Sequence, residues 1–174
     1  MVPSYPIIFK EELALKCHEP KCGNYGLSYN CPPFVEGPSG FRKLIQTHPN
    51  AIVMHLVVPF SMLLSWEHVD VGGINHEIVA NVENEARKFG YAKSAAFAGG
   101  SCKELFCQHH LNCQQITDGG PCRHPDLARP SLSGFGVDVF QLMKTCGWPT
   151  NINEGKDLPP EEQLSWMAGL IMVG

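Results

Sequence analysis

Two tight groups contain seven of the eight cysteines, and this grouping constrains the chain more than any other feature of its sequence. Each group spans 15 to 21 residues that include Gly, Pro and His. Such loop spacing allows several thiolates to surround one metal ion or cluster. The predicted metal ligands are Cys17, Cys22, Cys31, Cys102, Cys107, Cys113 and Cys122.

Length and composition favour a single metal-binding domain, residues 1–174, that folds without cross-links. A chain of 174 residues buries roughly two-thirds of the surface that its unfolded form exposes. Cysteine makes up 8 of its 174 residues, a smaller fraction than the roughly 8 to 10% that marks a disulfide scaffold. Residues 1–16 lack the basic and long apolar regions of a secretory signal, so we expect a cytoplasmic, reducing location.

Charge and hydropathy argue against nucleic acid and membranes as partners. The formal net charge is -4, and the Lys and Arg residues are scattered along the chain. The longest apolar stretches, residues 51–60 and 167–173, are shorter than the roughly 20 residues that a membrane helix needs. We therefore expect a soluble protein that binds neither.

Hydrophobic periodicity predicts helices and strands outside the cysteine groups. The predicted helices cover residues 41–48, 74–89 and 139–146. The predicted strands cover residues 51–58, 91–98, 148–152 and 166–173. Ser39 is a candidate cap of the first helix, which Pro49 ends, and Asp138 and Gly147 bound the third. Cys146 lies on the apolar face of this third helix, so we interpret it as a small core residue.

The order strand, helix, strand over residues 51–98 favours a parallel pair of strands with a right-handed crossover. The apolar positions of the intervening helix share one face: Ile74, Ile78, Val82, Ala86 and Phe89. We predict the α/β fold class, with a mixed β-sheet, flanking helices and a cysteine-rich metal-binding loop layer. That layer comprises an N-terminal cysteine loop, residues 1–38, and a second one, residues 99–130, which follows a strand as ligand-binding loops of α/β proteins do.

The second cysteine group has four thiolates, the number that a [4Fe-4S] cluster or a tetrahedral zinc ion requires. Structural zinc sites favour pairs of cysteines separated by two residues, and none of these gaps has two. Gly119 and Gly120, before Cys122, would let backbone N–H groups approach the sulfides of a cluster. The spacing favours an iron-sulfur cluster, with zinc as the alternative.

The first group has only three thiolates and ends in Cys31, Pro32 and Pro33. A cysteine before proline also ends the ferredoxin-type ligand run, where it binds the neighbouring cluster. The first group therefore either donates one or two ligands to a shared site or holds a cluster of its own. In the second case one iron lacks a cysteine, and its ligand would be His18, water, a substrate or a partner side chain.

Tyrosines lie beside the first group in a Gly-rich loop. Tyr25 and Tyr29 would either line a cluster or pack the loop, and Gly26 would supply an unusual backbone angle. Of the two tyrosines, Tyr25 is the predicted cofactor-binding residue.

Histidine and arginine side chains accompany the second group. His109 and His110 would either ligate metal or donate hydrogen bonds to thiolates. Arg123 and His124 follow Cys122 directly and are predicted to contact the cofactor. With Arg129, Arg123 forms a predicted cationic patch that would offset an anionic cluster or bind an anionic substrate.

The order of these motifs resembles an uncharacterised prokaryotic family described as predicted metal-binding proteins, a cysteine-rich domain of unknown function. The first motif runs from Cys17 to Pro33. The second runs from Cys102 to Pro125 and continues through residues 129–131 and 136–139. The resemblance covers most of the chain and implies metal binding without an established reaction.

Three functions are compatible with these residues. The first is redox or electron transfer through one or two [4Fe-4S] clusters, with a redox partner protein. The second is an enzyme in which a three-cysteine cluster with an open iron activates a small-molecule ligand. The third is a zinc-stabilised interaction module or metal carrier. No catalytic triad, P-loop or dinucleotide-binding motif competes with them, and we expect the first.

Overall fold

The computed structural model describes residues 1–19, 21–150, 158–159 and 162–174. Its strands are β1 (Val2–Pro3), β2 (Asn50–Pro59), β3 (Ala95–Ala98) and β4 (Leu164–Val173). Its α-helices are α1 (Glu11–Leu15), α2 (Gly37–Thr47), α3 (Phe60–Leu64), α4 (His68–Lys88), α5 (Cys102–Leu105), α6 (Gln114–Thr117) and α7 (Val139–Thr145). A 3₁₀ turn, Ser133–Phe135, precedes α7. No helix within these described ranges is long and apolar enough to cross a membrane.

The four strands form one sheet in the order β1-β2-β4-β3. Every ladder between neighbouring strands is antiparallel. Strand β4 lies between β2 and β3, so that Ile171 is opposite Ile52 on one side and Ala96 on the other. The α/β class is confirmed, but the predicted mixed sheet with a parallel pair is wrong, because these four strands pair only in antiparallel fashion. Strands β2 and β3 run in the same direction, and β4 separates them because the last segment of the chain inserts between the two.

Two hydrophobic clusters cover opposite faces of the sheet, because successive residues of a strand point to opposite sides. On one face, Leu170 of β4 packs with Phe41 of α2 and Met143 of α7. On the other face, Ile171 packs with Val79 of α4. The sheet is therefore the central layer, with α2 and α7 on one side and α4 on the other.

Helix α2 begins earlier than the sequence predicts. It starts at Gly37 with Pro38 in the first turn, where the fixed φ of proline suits a helix. Ser39 is inside the helix, and its hydroxyl donates to the Glu36 carbonyl at 2.8 Å instead of capping the helix. The predicted end before Pro49 is confirmed, since the helix stops at Thr47.

The predicted helix at residues 74–89 is confirmed as α4, but its predicted apolar face is only partly buried: Ala86 is buried and Val82 packs against the core. Ile74 and Phe89 are 49% and 81% exposed. The buried face also includes Asn75 and Glu83. Hydrogen bonds offset part of the cost of burying these polar side chains: the Asn75 amide donates to the Ala168 carbonyl at 3.3 Å, and a Glu83 carboxylate oxygen accepts from the Ala96 N–H at 2.8 Å.

The later elements follow the predicted pattern in part. Asp138 caps α7 by accepting from the Gln141 N–H at 3.0 Å, and β2 and β4 confirm the predicted strands at residues 51–58 and 166–173. Cys146 is only half-buried, because it lies at the end of α7 and not within the core. Residues 148–150 of the strand predicted at 148–152 are not in a strand, and residues 151 and 152 lie outside the described residues.

Candidate metal centres

The two cysteine loops meet beside the carboxyl end of β3. Cys102 is the first residue of α5, four residues after β3 ends. The Ser131 N–H donates to the Asn30 carbonyl, and the Ala98 N–H donates to the Pro130 carbonyl, both at 3.0 Å. These backbone hydrogen bonds tie the first loop and the end of the second loop to the same edge of the sheet.

The first cysteine group lines a cavity of about 520 Å³. Its three cysteines extend from the surface, where Cys22 is exposed, to the interior, where Cys31 is buried. The polar side chains that share this cavity are Lys16, Asn24, Tyr25, Ser101, Glu104, Ser131, Ser133 and Asp138. The structure therefore brings Cys17, Cys22, Cys31 and Tyr25 together in one cavity.

The second cysteine group lines a separate and much smaller cavity of about 20 Å³. All four of its thiols contribute, together with Arg123 and His124. The His124 backbone N–H lies 3.4 Å from the Cys122 sulfur, and the Arg123 guanidinium donates to the Asn112 carbonyl at 3.0 Å. These predicted residues thus lie beside the second group, and Tyr25 lies beside the first.

Hydrogen bonds between the two loops connect the two groups. The Ser28 hydroxyl oxygen lies 3.0 Å from the Cys102 sulfur, and the Asn30 amide donates to the same sulfur at 3.6 Å. In the other direction, the Cys31 thiol lies 3.5 Å from the Ser101 hydroxyl. Each loop therefore supplies a polar partner to a cysteine of the other group.

Burial keeps the innermost thiols protonated in the absence of a cation. The pKa of Cys31 is raised to about 11, chiefly by burial and also by the nearby Cys102 and Cys17 thiols, and the hydrogen bond with Ser101 opposes this rise. Burial also raises the pKa of Cys102, opposed by the hydrogen bonds from Ser28 and Asn30. Because a thiolate is the form that ligates metal, a bound cation would have to stabilise these ionised sulfurs.

Glu104 joins three elements at the rim of the first cavity. One carboxylate oxygen accepts from Asn24 of the first loop at 2.8 Å. The other lies 3.0 Å from the His68 ring at the start of α4. Since Glu104 belongs to α5, it fixes the first loop against α4 and α5.

The end of the second loop is anchored by a buried ion pair. The Arg129 guanidinium is 2.8 Å from the Glu83 carboxylate of α4 and also donates to the Pro125 carbonyl at 3.1 Å. Arg129 is only 8% exposed. The predicted cationic patch of Arg123 and Arg129 is therefore wrong, because Glu83 neutralises Arg129 inside the protein.

Three of the candidate histidine ligands do not line either cavity. His109 and His110 are exposed. The exposed His18 packs its ring edge on Tyr25, with ring centroids 5.2 Å apart. Tyr29 is also 47% exposed and stacks on Phe34 instead of lining the first cavity.

The donor set fits a thiophilic metal. Cysteine thiolates select zinc, copper(I) and iron-sulfur clusters over harder ions. Within the described ranges, no three His, Cys, Asp or Glu side chains are positioned to share one metal ion. The seven cysteines instead surround the two cavities, with hydrogen-bond partners at Cys31 and Cys102.

Sequence reasoning missed the contacts that Ser28, Ser101 and Glu104 make. Ser101 precedes Cys102 directly, and this neighbour was a local signal that it would lie near a thiolate. Ser28 is 74 residues from Cys102, so the sequence contains no local indication of their contact. Glu104 gave no signal because its partners come from two other segments of the chain.

Comparison with known proteins supports the motif-based resemblance. No curated protein and no solved structure matches the chain significantly. One family model matches residues 1–172, a range that contains both cysteine groups and both cavities. The chain therefore belongs to the family described as "Predicted metal-binding protein (DUF2284)".

Proposed function

We propose that this protein is an iron-sulfur redox protein in which each cysteine group holds one [4Fe-4S] cluster. The observation that carries this proposal is the division of the cysteines into four and three around two separate cavities. Four thiolates complete the ligand set of such a cluster, and three leave one iron without a cysteine. Bound clusters would supply reversible electron transfer, and the incompletely ligated iron would be a Lewis acid.

Side chains of this protein are suited to stabilising electron-rich thiolates. Ser28 and Asn30 contact the Cys102 sulfur, and Ser101 contacts Cys31. A hydrogen bond to a cluster-bound sulfur favours the reduced, more negative state. These contacts are buried, with Ser28 at 1% and Ser101 at 5% exposure, and in such surroundings a hydrogen bond has a stronger effect than in water.

The short path between the two groups supports electron transfer from one to the other. The Cys31 sulfur is 3.5 Å from the Ser101 hydroxyl, and Ser101 is bonded directly to Cys102. The second group is the more enclosed, whereas the first lines the larger cavity. In this arrangement the second group would relay electrons and the first would receive them beside a ligand.

A second candidate function, an enzyme that activates a small molecule, is favoured by the size of the first cavity. Its volume of about 520 Å³ lies in the range of ligand pockets, roughly 300 to 1,000 Å³. Lys16, Tyr25 and Glu104 line it and offer a cation, a hydroxyl and a carboxylate to a bound ligand. The three-cysteine cluster would then be the place of chemistry and the four-cysteine cluster its electron source.

Single cysteine variants test the assignment of the two groups. Cys113→Ser should lose the second cluster and Cys22→Ser the first, each with roughly half of the iron. Cys146→Ser is the control, because Cys146 lines neither cysteine cavity. Iron content and electron paramagnetic resonance of the reduced, anaerobically purified proteins measure these losses. Full iron content in Cys113→Ser would contradict the assignment of the second group.

A further inference from the structure

The cavity at the first cysteine group, which we name the cysteine cavity, adjoins a third cavity that differs from it in chemical character. This third cavity has a volume of about 440 Å³. Its large side chains are apolar: Phe60, Leu63, Leu64, Phe140, Trp166 and Met167. The described residues that line it include no charged side chain. We refer to it as the apolar groove.

Three residues line both the cysteine cavity and the apolar groove: Ser133, Val139 and Phe140. They belong to the 3₁₀ turn and to the first turn of α7. The Phe140 ring is 56% exposed and rests edge-on against Trp166, with centroids 5.5 Å apart. The two spaces therefore meet along the first turn of α7, with Phe140 at the junction.

The two ends of this combined space suit different chemical groups. The cysteine end presents three thiols together with Lys16, Asn24 and Glu104, which suits a polar or metal-ligating group. The groove end presents aromatic and aliphatic side chains, and burying an apolar group there is favourable in proportion to its area. A small, fully polar molecule would fill only the first end.

We propose that the cysteine cavity and the apolar groove form one binding site for an amphipathic small molecule. Its polar head group would ligate the open iron beside Cys17, Cys22 and Cys31, and its uncharged hydrocarbon or aromatic arm would pass Phe140 into the groove. This inference rests on the proposed function, because the head group needs an iron that lacks a cysteine. It adds the chemical class of the ligand, which the cysteines alone do not define.

Two imidazoles with the same iron-binding nitrogen test the inference on the anaerobic, cluster-loaded protein. N-methylimidazole has only the head group, and N-hexylimidazole adds a flexible apolar arm. Their affinities are measured from the change that each causes in the electron paramagnetic resonance signal of the reduced three-cysteine cluster. N-hexylimidazole should bind about 30-fold more tightly or better, since each buried methylene is worth roughly fourfold in affinity.

Charge placed in the groove should remove this preference. In Leu64→Glu a carboxylate faces the groove at a position that is 71% exposed, so the fold should tolerate it, and Leu63→Glu provides a second variant. Both should bind N-methylimidazole as the parent does and lose the advantage of the hexyl arm. The matched control is Ile74→Glu, which changes a 49% exposed residue of α4 outside both cavities and should leave the preference intact.

The outcomes separate this inference from the proposed function. Equal affinity for the two imidazoles in the parent protein would overturn the groove as the site of an apolar arm. A preference that survives in both Leu64→Glu and Leu63→Glu would overturn it as well. If N-methylimidazole leaves the electron paramagnetic resonance signal of an iron-loaded protein unchanged, the first group has no open iron. That result would contradict the three-cysteine cluster of the proposed function.

Discussion

Single hydroxyl groups link the two cysteine groups across large separations in the chain. Ser28 in the first loop contacts Cys102 of the second group, and Ser101 in the second loop contacts Cys31 of the first. All four residues are less than 10% exposed. Water cannot readily replace these contacts, so each hydroxyl has a direct influence on the thiolate beside it.

Under the proposed iron-sulfur function, replacing Ser28 by alanine should therefore lower the reduction potential of the cluster held by the second group. The lost hydrogen bond favoured the reduced state, and we expect a decrease on the order of 50 mV. A potentiometric titration followed by electron paramagnetic resonance measures this value. Ser39→Ala is the control, since that hydroxyl donates to a backbone carbonyl in α2, and it should leave both potentials unchanged. A shift confined to the first cluster would contradict the contact assigned to Ser28.

His76 should make the stability of the protein depend on pH. The ring is fully buried, and this burial lowers its pKa to about 4, while the neighbouring Arg129 charge also lowers it. Between about pH 6.5 and pH 4 the unfolded chain binds a proton that the folded protein does not, so the free energy of unfolding falls as the pH is lowered. The total loss amounts to at most about 3.4 kcal/mol.

Urea denaturation between pH 7.5 and pH 5.5 checks this dependence on the parent protein and on His76→Gln, in which no imidazole titrates. As the pH is lowered, the free energy of unfolding should fall less steeply in the variant than in the parent. The difference between the two should be up to about 1.4 kcal/mol for each pH unit below 6.5. His110→Gln, at an exposed position, is the control and should show the parental slope. Identical pH slopes for the parent and His76→Gln would show that His76 is not held neutral.

At the scale of elements, α4 supports both the sheet and the second cysteine loop. Its Val79 packs on the sheet, where a Cβ on Gly169 would clash with it, so the helix and β4 approach closely. Its Glu83 accepts from β3 at Ala96 and pairs with Arg129 at the end of the second loop. One buried carboxylate thus connects a helix, a strand and the loop that contains four of the cysteines.

Removal of the Glu83 charge should destabilise the protein strongly. Glu83→Gln leaves Arg129 buried without its counter-charge, and the free energy of unfolding should fall by about 3 to 5 kcal/mol. Glu85→Gln is the matched control on the same helix. It removes an exposed pair with Lys88, and such pairs contribute less than about 1 kcal/mol. Urea denaturation of the two variants measures the difference, and equal effects would contradict the role given to Glu83.

Local patterns predicted the elements better than their arrangement. The continuous apolar run at residues 51–58 and the periodicity at residues 74–89 identified β2 and α4. The buried face of α4 was only partly predictable from hydropathy, because Glu83 is buried only through partners at Ala96 and Arg129. Strand order was not predictable either, since β4 inserts between β2 and β3 from the far end of the chain.

In the molecule as a whole, the fold brings two distant cysteine loops into contact beside one edge of the sheet. The types and spacing of the cysteines were readable from the sequence, and the family model agrees with the metal binding that they imply. The contact between Ser28 and Cys102 and the meeting of the cysteine cavity with the apolar groove depend on tertiary structure. Sequence reasoning therefore grouped the cysteines as the structure does, but it did not predict these contacts between distant segments.

The content of iron, zinc and acid-labile sulfide per chain, measured on protein purified without oxygen, shows directly whether the two cysteine groups hold iron-sulfur clusters. Two [4Fe-4S] clusters require about eight irons and eight sulfides per chain, with a broad visible absorption that bleaches on reduction. About four of each would contradict a cluster in the three-cysteine group. A colourless protein that contains zinc and no sulfide would contradict the iron-sulfur function altogether.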